Sequence, residues 1–161
     1  MNHTRDGHER WMREAIEMSI RNVQGGNGGP FGTLIVRYGT VLARGVNQVT
    51  ARNDPTAHAE IVAIREACLL LDSFQLEDCE IYSSCEPCPM CLGAIYWARP
   101  KALYFAGTRE DAARVGFDDY YIYEELKLPK ESRSIPCLQI LHDEELAAFA
   151  EWEKKQDKVR Y

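Results

Sequence analysis

With 161 residues the chain has room for one domain with a substantial core and too little for two comfortable ones. Its 45% hydrophobic and 27% charged content fits an ordinary soluble globular domain, and no apolar run approaches a membrane span. The formal net charge of −6, with no Lys/Arg cluster longer than Lys154-Lys155, argues against a nucleic-acid partner, which calls for a basic stripe, and for a small substrate.

Met12, Ile16, Met18 and Val23 recur at near-helical spacing and predict a first amphipathic helix over 9–24, ended by Gly25-Gly26-Asn27-Gly28-Gly29-Pro30. Residues 31–37 and 41–46 read as two strands of an antiparallel hairpin turning at Tyr38-Gly39-Thr40. Asn53-Asp54-Pro55-Thr56 is loop chemistry that leads into a helix over 57–71. A strand at 80–84, a helix at 88–98, a strand at 102–106 and a short helix at 110–114 follow. Residues 126–136, with their charges and two prolines, suit a flexible connection; 137–141 would form a last strand and 143–155 a last helix. Strand–helix–strand units imply parallel pairing and the opening hairpin is antiparallel. The expectation is therefore an α/β domain over 1–161, with a mixed central sheet and helices on both faces. Residues 1–6 carry no signal-peptide core, so a cytoplasmic location is expected, with the six cysteines as thiols or metal ligands.

Two short motifs carry the chemistry. His58-Ala59-Glu60 and Pro87-Cys88-Pro89-Met90-Cys91 offer one imidazole and two thiolates, a zinc site with an open fourth position, the arrangement of catalytic zinc. Glu60 supplies a proton carrier beside it. Both halves fall at predicted helix starts, where backbone N–H groups and the helix dipole favour thiolates. Cys88 and Cys91, three apart, share a helical face. Cys85 forms a competing pair with Cys88, but Pro87 is expected to open the helix that holds Cys88 and Cys91 in register, which leaves Cys85 as a packed thiol beside the site. Cys68, Cys79 and Cys137 read as small core residues. The combined pattern is the signature of zinc-dependent nucleobase deaminases. One zinc per subunit would activate water, and Glu60 would carry its proton to the ring nitrogen and then to departing ammonia. Two thiolates and an imidazole favour zinc over other transition metals.

Around Cys85-Glu86-Pro87-Cys88-Pro89-Met90-Cys91-Leu92-Gly93-Ala94-Ile95 the chain resembles the cytidine/deoxycytidylate deaminase superfamily, and more narrowly its bacterial guanine deaminase branch. The resemblance continues through Gly29-Pro30-Phe31-Gly32, Asn53-Asp54-Pro55-Thr56-Ala57-His58-Ala59-Glu60, Gly116-Phe117-Asp118-Asp119 and Tyr161. The zinc motifs specify only the superfamily; the last two features narrow it. The resemblance implies a three-layer α/β/α cytidine-deaminase-like fold and hydrolysis of guanine at C2 to xanthine and ammonia, a step of purine catabolism or salvage. It implies that Asn47 hydrogen-bonds the purine, Phe31 packs against its ring and the Ala59 backbone meets the base edge. Asp119 would bind, or relay a proton to, the 2-amino group, and Tyr161 would close the pocket. An amide, an aromatic face and a carboxylate suit these tasks. The resemblance further implies a homodimer that exchanges residues 126–161, so that Tyr161 enters the partner's active site and 126–136 is the hinge.

Other readings remain at this point. Without the resemblance, Phe31 is a core aromatic, Asn47 a turn residue, Asp118 and Asp119 a solvated pair, and 155–161 a polar tail. A tRNA adenosine deaminase shares the glutamate–proline–cysteine core but needs a basic face. A guanosine deaminase and, more weakly, a pyrimidine deaminase fit the same motifs. A zinc-stabilised binding module without catalysis is disfavoured because a structural site has no use for Glu60.

Overall fold

The computed structural model describes residues 5–160. Strands β1 (Gly32–Arg37), β2 (Thr40–Val46), β3 (Cys79–Cys85) and β4 (Ala102–Gly107) form one sheet in the order β2-β1-β3-β4. β1 pairs antiparallel with β2 and β3, while β3 and β4 are parallel, so the sheet is mixed as expected. Helix α1 (Arg5–Gln24) lies on one face; after a single turn, α2 (Val49–Arg52), helices α3 (Ala59–Leu71) and α4 (Pro89–Ala98) cover the other. These are three layers.

The alternation of strand side chains builds both interfaces from one central strand. Leu34 and Val36 of β1 meet Trp11 and Ala15 of α1, together with Tyr82. Ile35, pointing the other way, joins Ala43, Ala63, Ala67, Ile81 and Ile95. β1 is therefore buried almost throughout. The buried stripe of α1 is Trp11, Ala15, Ser19 and Asn22, whereas Val23 is half exposed. The predicted apolar face was thus rotated by about one residue, because two polar side chains take inward positions at the helix end.

Tyr38 and Gly39 both have positive φ (51° and 75°), and Arg37 pairs directly with Thr40, so the hairpin turns in two residues. Gly45 of β2 is where α3 comes closest. A Cβ there would collide with the Ala59 carbonyl oxygen and sit 2.6 Å from the Ala63 nitrogen. A residue without a side chain lets the first turn of α3 rest on the sheet. That turn carries Glu60.

After β4 comes the short helix α5 (Arg109–Arg114), whose Thr108–Asp111 capping box closes both ends of its first turn. Residues from Tyr120 form a second compact unit of α6 (Tyr120–Lys127), a 3-10 turn (Lys130–Ser132) and α7 (His142–Lys154). Within it the Ser134 N–H donates to the Glu125 carboxylate at 2.9 Å, and the Tyr121 hydroxyl meets Ser134 Oγ. Leu126 and Lys127 end α6, so the connection expected over 126–136 starts two residues later, with its Ser134 N–H tied back to Glu125. The expectations for 137–141 fail. Residues 137–141 form no strand, because no ladder partner is present among the described residues, and Leu138 and Ile140 are exposed. Cys137 is exposed too, not a core thiol. No described helix is long and apolar enough to cross a membrane.

Candidate metal centre and its surroundings

His58 and Cys88 are the N-cap residues of α3 and α4, both in extended conformation, with their carbonyls accepting from the Val62 and Leu92 N–H groups. Pro89, not Pro87, is the first helical residue of α4, where its fixed φ is already helical. The register nevertheless holds: Cys88 and the fully buried Cys91 stay three apart across the helix start. The ligand atoms of His58, Cys88 and Cys91 lie within 4.8 Å of one another, the one such cluster among the described residues. Cys88 Sγ is 3.6 Å from His58 Nδ1. A tetrahedral ion about 2.3 Å from sulfur and about 2.05 Å from nitrogen places those two atoms about 3.6 Å apart. Spacing and donor set both fit zinc. Cys85 is outside the cluster, its thiol donating to the Thr108 carbonyl at 3.5 Å, and burial pushes it up to about 11.

The cluster has a divided charge state. Hydrogen bonds, first from Cys91 and then from His58, hold Cys88 down at about 4, a thiolate at neutral pH. Cys91 is pushed up by that same bond to Cys88 and by burial, so it keeps its proton. A metal ion would have to expel it. The Cys88 thiolate also raises His58 by accepting its hydrogen bond. Glu60, only 6% exposed in the first turn of α3, is raised chiefly by burial and further by the Cys88 thiolate. A carboxyl that readily holds a proton therefore stands beside three metal donors. That is what an acid–base catalyst needs.

The more distant candidates fall at several places on the first unit. Ala59 is fully buried as the first residue of α3, its N–H among those a helix start leaves without an intrahelical partner. Asp119 is partly buried and close enough to Cys88 and Glu86 for their charges to raise it, burial being the larger cause. Phe31, just before β1, is partly exposed and meets Phe117 edge-on, ring centres 4.9 Å apart. Asn47, just after β2, is 6% exposed; its Oδ1 accepts from the Gly29 and Val49 N–H groups at 3.3 Å each. Its amide nitrogen is thereby left as the donating end. Tyr161 lies outside the described residues. What the sequence did not point to is Asn22, which donates to both Gly29 and Asn47; an asparagine at a helix end looks like any polar-face residue.

A family model described as the cytidine and deoxycytidylate deaminase zinc-binding region matches residues 5–107. The chain is 51% identical over 154 residues to the guanine deaminase of Bacillus subtilis (strain 168), covering 96% of this chain and 99% of that one. A tRNA-specific adenosine deaminase of Aquifex aeolicus (strain VF5) is 38% identical over 100 residues, 62% of this chain and 66% of the relative. Among solved structures, the X-ray structure of guanine deaminase from Bacillus subtilis superposes with a TM-score of 0.93 at 50% identity, over 100% of this chain and 99% of the other.

Proposed function

The chain belongs to the cytidine and deoxycytidylate deaminase family, and from that premise we propose that it is a guanine deaminase, hydrolysing guanine to xanthine and ammonia. The observation that carries the reaction is buried Glu60 beside the convergent donors of His58, Cys88 and Cys91. The substrate is supported by the kinship along almost the whole chain with a guanine deaminase. His58, Cys88 and Cys91 would hold one zinc ion per subunit, and the ion would supply Lewis acidity for hydrolysis at neutral pH. Glu60 takes one proton from the attacking water and gives it to the ring nitrogen beside C2. The second water proton reaches the 2-amino nitrogen by the same carboxyl, or by way of Asp119 instead, as the C–N bond breaks and ammonia departs. The Asn47 amide donates to the purine, Phe31 stacks on it, the Ala59 backbone meets the base edge, and Asp119 accepts from the 2-amino group or passes it a proton. The raised position of Asp119 suits that second task.

The working form in this reading is a cytoplasmic homodimer that exchanges residues 126–161 between subunits, with Tyr161 closing the partner's pocket. The exposure of Ile135, Leu138 and Ile140 (75%, 85% and 79%) supports a tail that awaits a covering surface. The test is ammonia release from guanine, guanosine, cytidine and adenosine by the wild type and Glu60→Gln, with zinc content measured on both. Guanine should be turned over by the wild type; the variant should keep zinc and lose about 10²–10⁴-fold in kcat. Turnover of guanosine but not guanine would move the assignment to the nucleoside, and normal turnover by the variant would remove Glu60 from its role.

A further inference from the structure

We infer that Asn22, at the end of α1, is a positioning residue for purine binding: its side-chain amide clamps Gly29 and Asn47 in the arrangement that presents Asn47 to the substrate. This rests on the guanine deaminase reading above. The Asn22 amide nitrogen donates to the Gly29 carbonyl and to the Asn47 carbonyl, each at 2.9 Å, which uses both of its N–H bonds. Asn47 is held from three further sides. Its N–H donates to the Phe31 carbonyl at 3.1 Å, and its Oδ1 accepts from Gly29 and Val49. Phe31 in turn donates to the Gly29 carbonyl at 2.8 Å. Gly29, Phe31 and Asn47 thus form one closed network, and Asn22 is the side chain that ties its two strands of backbone to the helix. Gly28 allows the closure, since a Cβ there would collide with the Asn47 carbonyl oxygen.

Packing alone does not account for this asparagine. Asn22 is 4% exposed on the inward stripe of α1, and its Oδ1 is buried with no hydrogen-bond partner among the described residues. An orphaned buried acceptor is costly, and an apolar residue would fill the helix stripe without it. What the amide supplies in exchange is a fixed separation between the Gly29 and Asn47 carbonyls. That separation sets where the Asn47 nitrogen points. Asn22 acts on substrate chiefly through Asn47, which its amide holds directly, and lies on a different element from the metal donors, so its removal should weaken binding and spare the chemical step.

The experiment is steady-state guanine deamination by the wild type, Asn22→Ala, Asn47→Ala and the double variant, with zinc content measured on each. Asn47→Ala should raise KM about tenfold, as expected for one lost hydrogen bond made equally in ground and transition states, with kcat changed less than about threefold. Asn22→Ala should do the same with full zinc content. The double variant should be no worse than Asn47→Ala, because the two act as one unit. Asn22→Ser, which keeps one donor, should fall between wild type and Asn22→Ala, and it decides by the same criteria where the alanine variant does not fold. An unchanged KM in the Asn22 variants, a KM raised about a hundredfold in the double variant, or zinc loss on changing Asn22 would each overturn the inference. Those results leave guanine turnover by the wild type intact. A wild type inactive on guanine overturns the functional reading, and this inference with it.

Discussion

Replacing Gly45 by alanine tests whether the close seat of α3 on the sheet is what places the catalytic groups. The added Cβ would strike the Ala59 carbonyl oxygen and stand 2.6 Å from the Ala63 nitrogen, both backbone atoms of one helix that no rotamer change can move aside. To restore ordinary contact at about 3.4 Å from that nitrogen, the first turns of α3 must retreat by at least about 0.8 Å, and further to clear the nearer Ala59 carbonyl oxygen. Overpacking of this kind costs about 1–3 kcal/mol, and a backbone clash belongs at the upper end. For a chain of this length, about 3 kcal/mol lowers Tm by roughly 6–12 °C. The retreat also carries His58 and Glu60 away from Cys88 and Cys91, which sit on α4. A misplacement of about 1 Å in a catalytic group costs about a hundredfold in rate. Thermal unfolding of zinc-loaded protein and kcat for guanine, measured well below Tm, read the two effects separately. A Tm within about 1 °C of wild type together with kcat within about twofold would show that the contact does not position the site.

Two further outcomes follow from the geometry. Tyr82 is wholly buried, its hydroxyl 2.7 Å from His8 Nδ1 and donating to Glu80 at 2.9 Å, and burial followed by the Glu80 contact raises its phenol well above the ordinary 10.0. The folded state keeps a proton that the unfolded chain releases, so this stability is complete below pH 10 and falls above it, by at most about 1.4 kcal/mol per pH unit. Tyr82→Phe should be less stable at pH 8 but decline less steeply in urea midpoints from pH 8 to 11.5; parallel curves would refute the assignment. For the exchanged tail, Glu60→Gln and a chain lacking Tyr161 should each be inactive alone, yet regain about a quarter of wild-type activity when refolded together, since half the dimers then carry one complete site. No recovery would mean that Tyr161 does not act across subunits.

The metal donors were legible because each half-site is local. His58 with Glu60, and Cys88 with Cys91, are fixed by the helix starts that follow them, and a helix start is written in a few consecutive residues. The sheet was legible for a similar reason: short apolar, β-branched runs in 32–37 and 40–46 and the tight Tyr38-Gly39 turn are short-range signals. The tail was not. Cys137-Leu138-Gln139-Ile140-Leu141 has strand-like composition, but a strand exists only when an edge accepts it, and none among the described residues does. The aromatic run Tyr120-Tyr121-Ile122-Tyr123 gave no helical signal by propensity, yet it is helical.

Substrate choice is the least local property of all, and the reason is visible in Asn47 and Asn22. The candidate metal centre draws three donors, with Glu60 beside them, from two helix starts, and the chain is similar to an adenosine deaminase as well as to a guanine deaminase. In the proposed reading, one of the contacts that would distinguish a purine base from another aminated ring is the amide N–H of Asn47, and its direction is set by packing. That direction depends on a carbonyl held by Asn22 25 residues earlier, on Gly29 and Val49 N–H groups, and on a glycine with no room for a side chain. None of these residues is unusual in its own sequence neighbourhood. Their significance arises only once β1 and β2 pair and bring residues 22, 28–31 and 47–49 together. On that reading the reaction is encoded in motifs, while part of the specificity is encoded in the packing that aims the Asn47 donor.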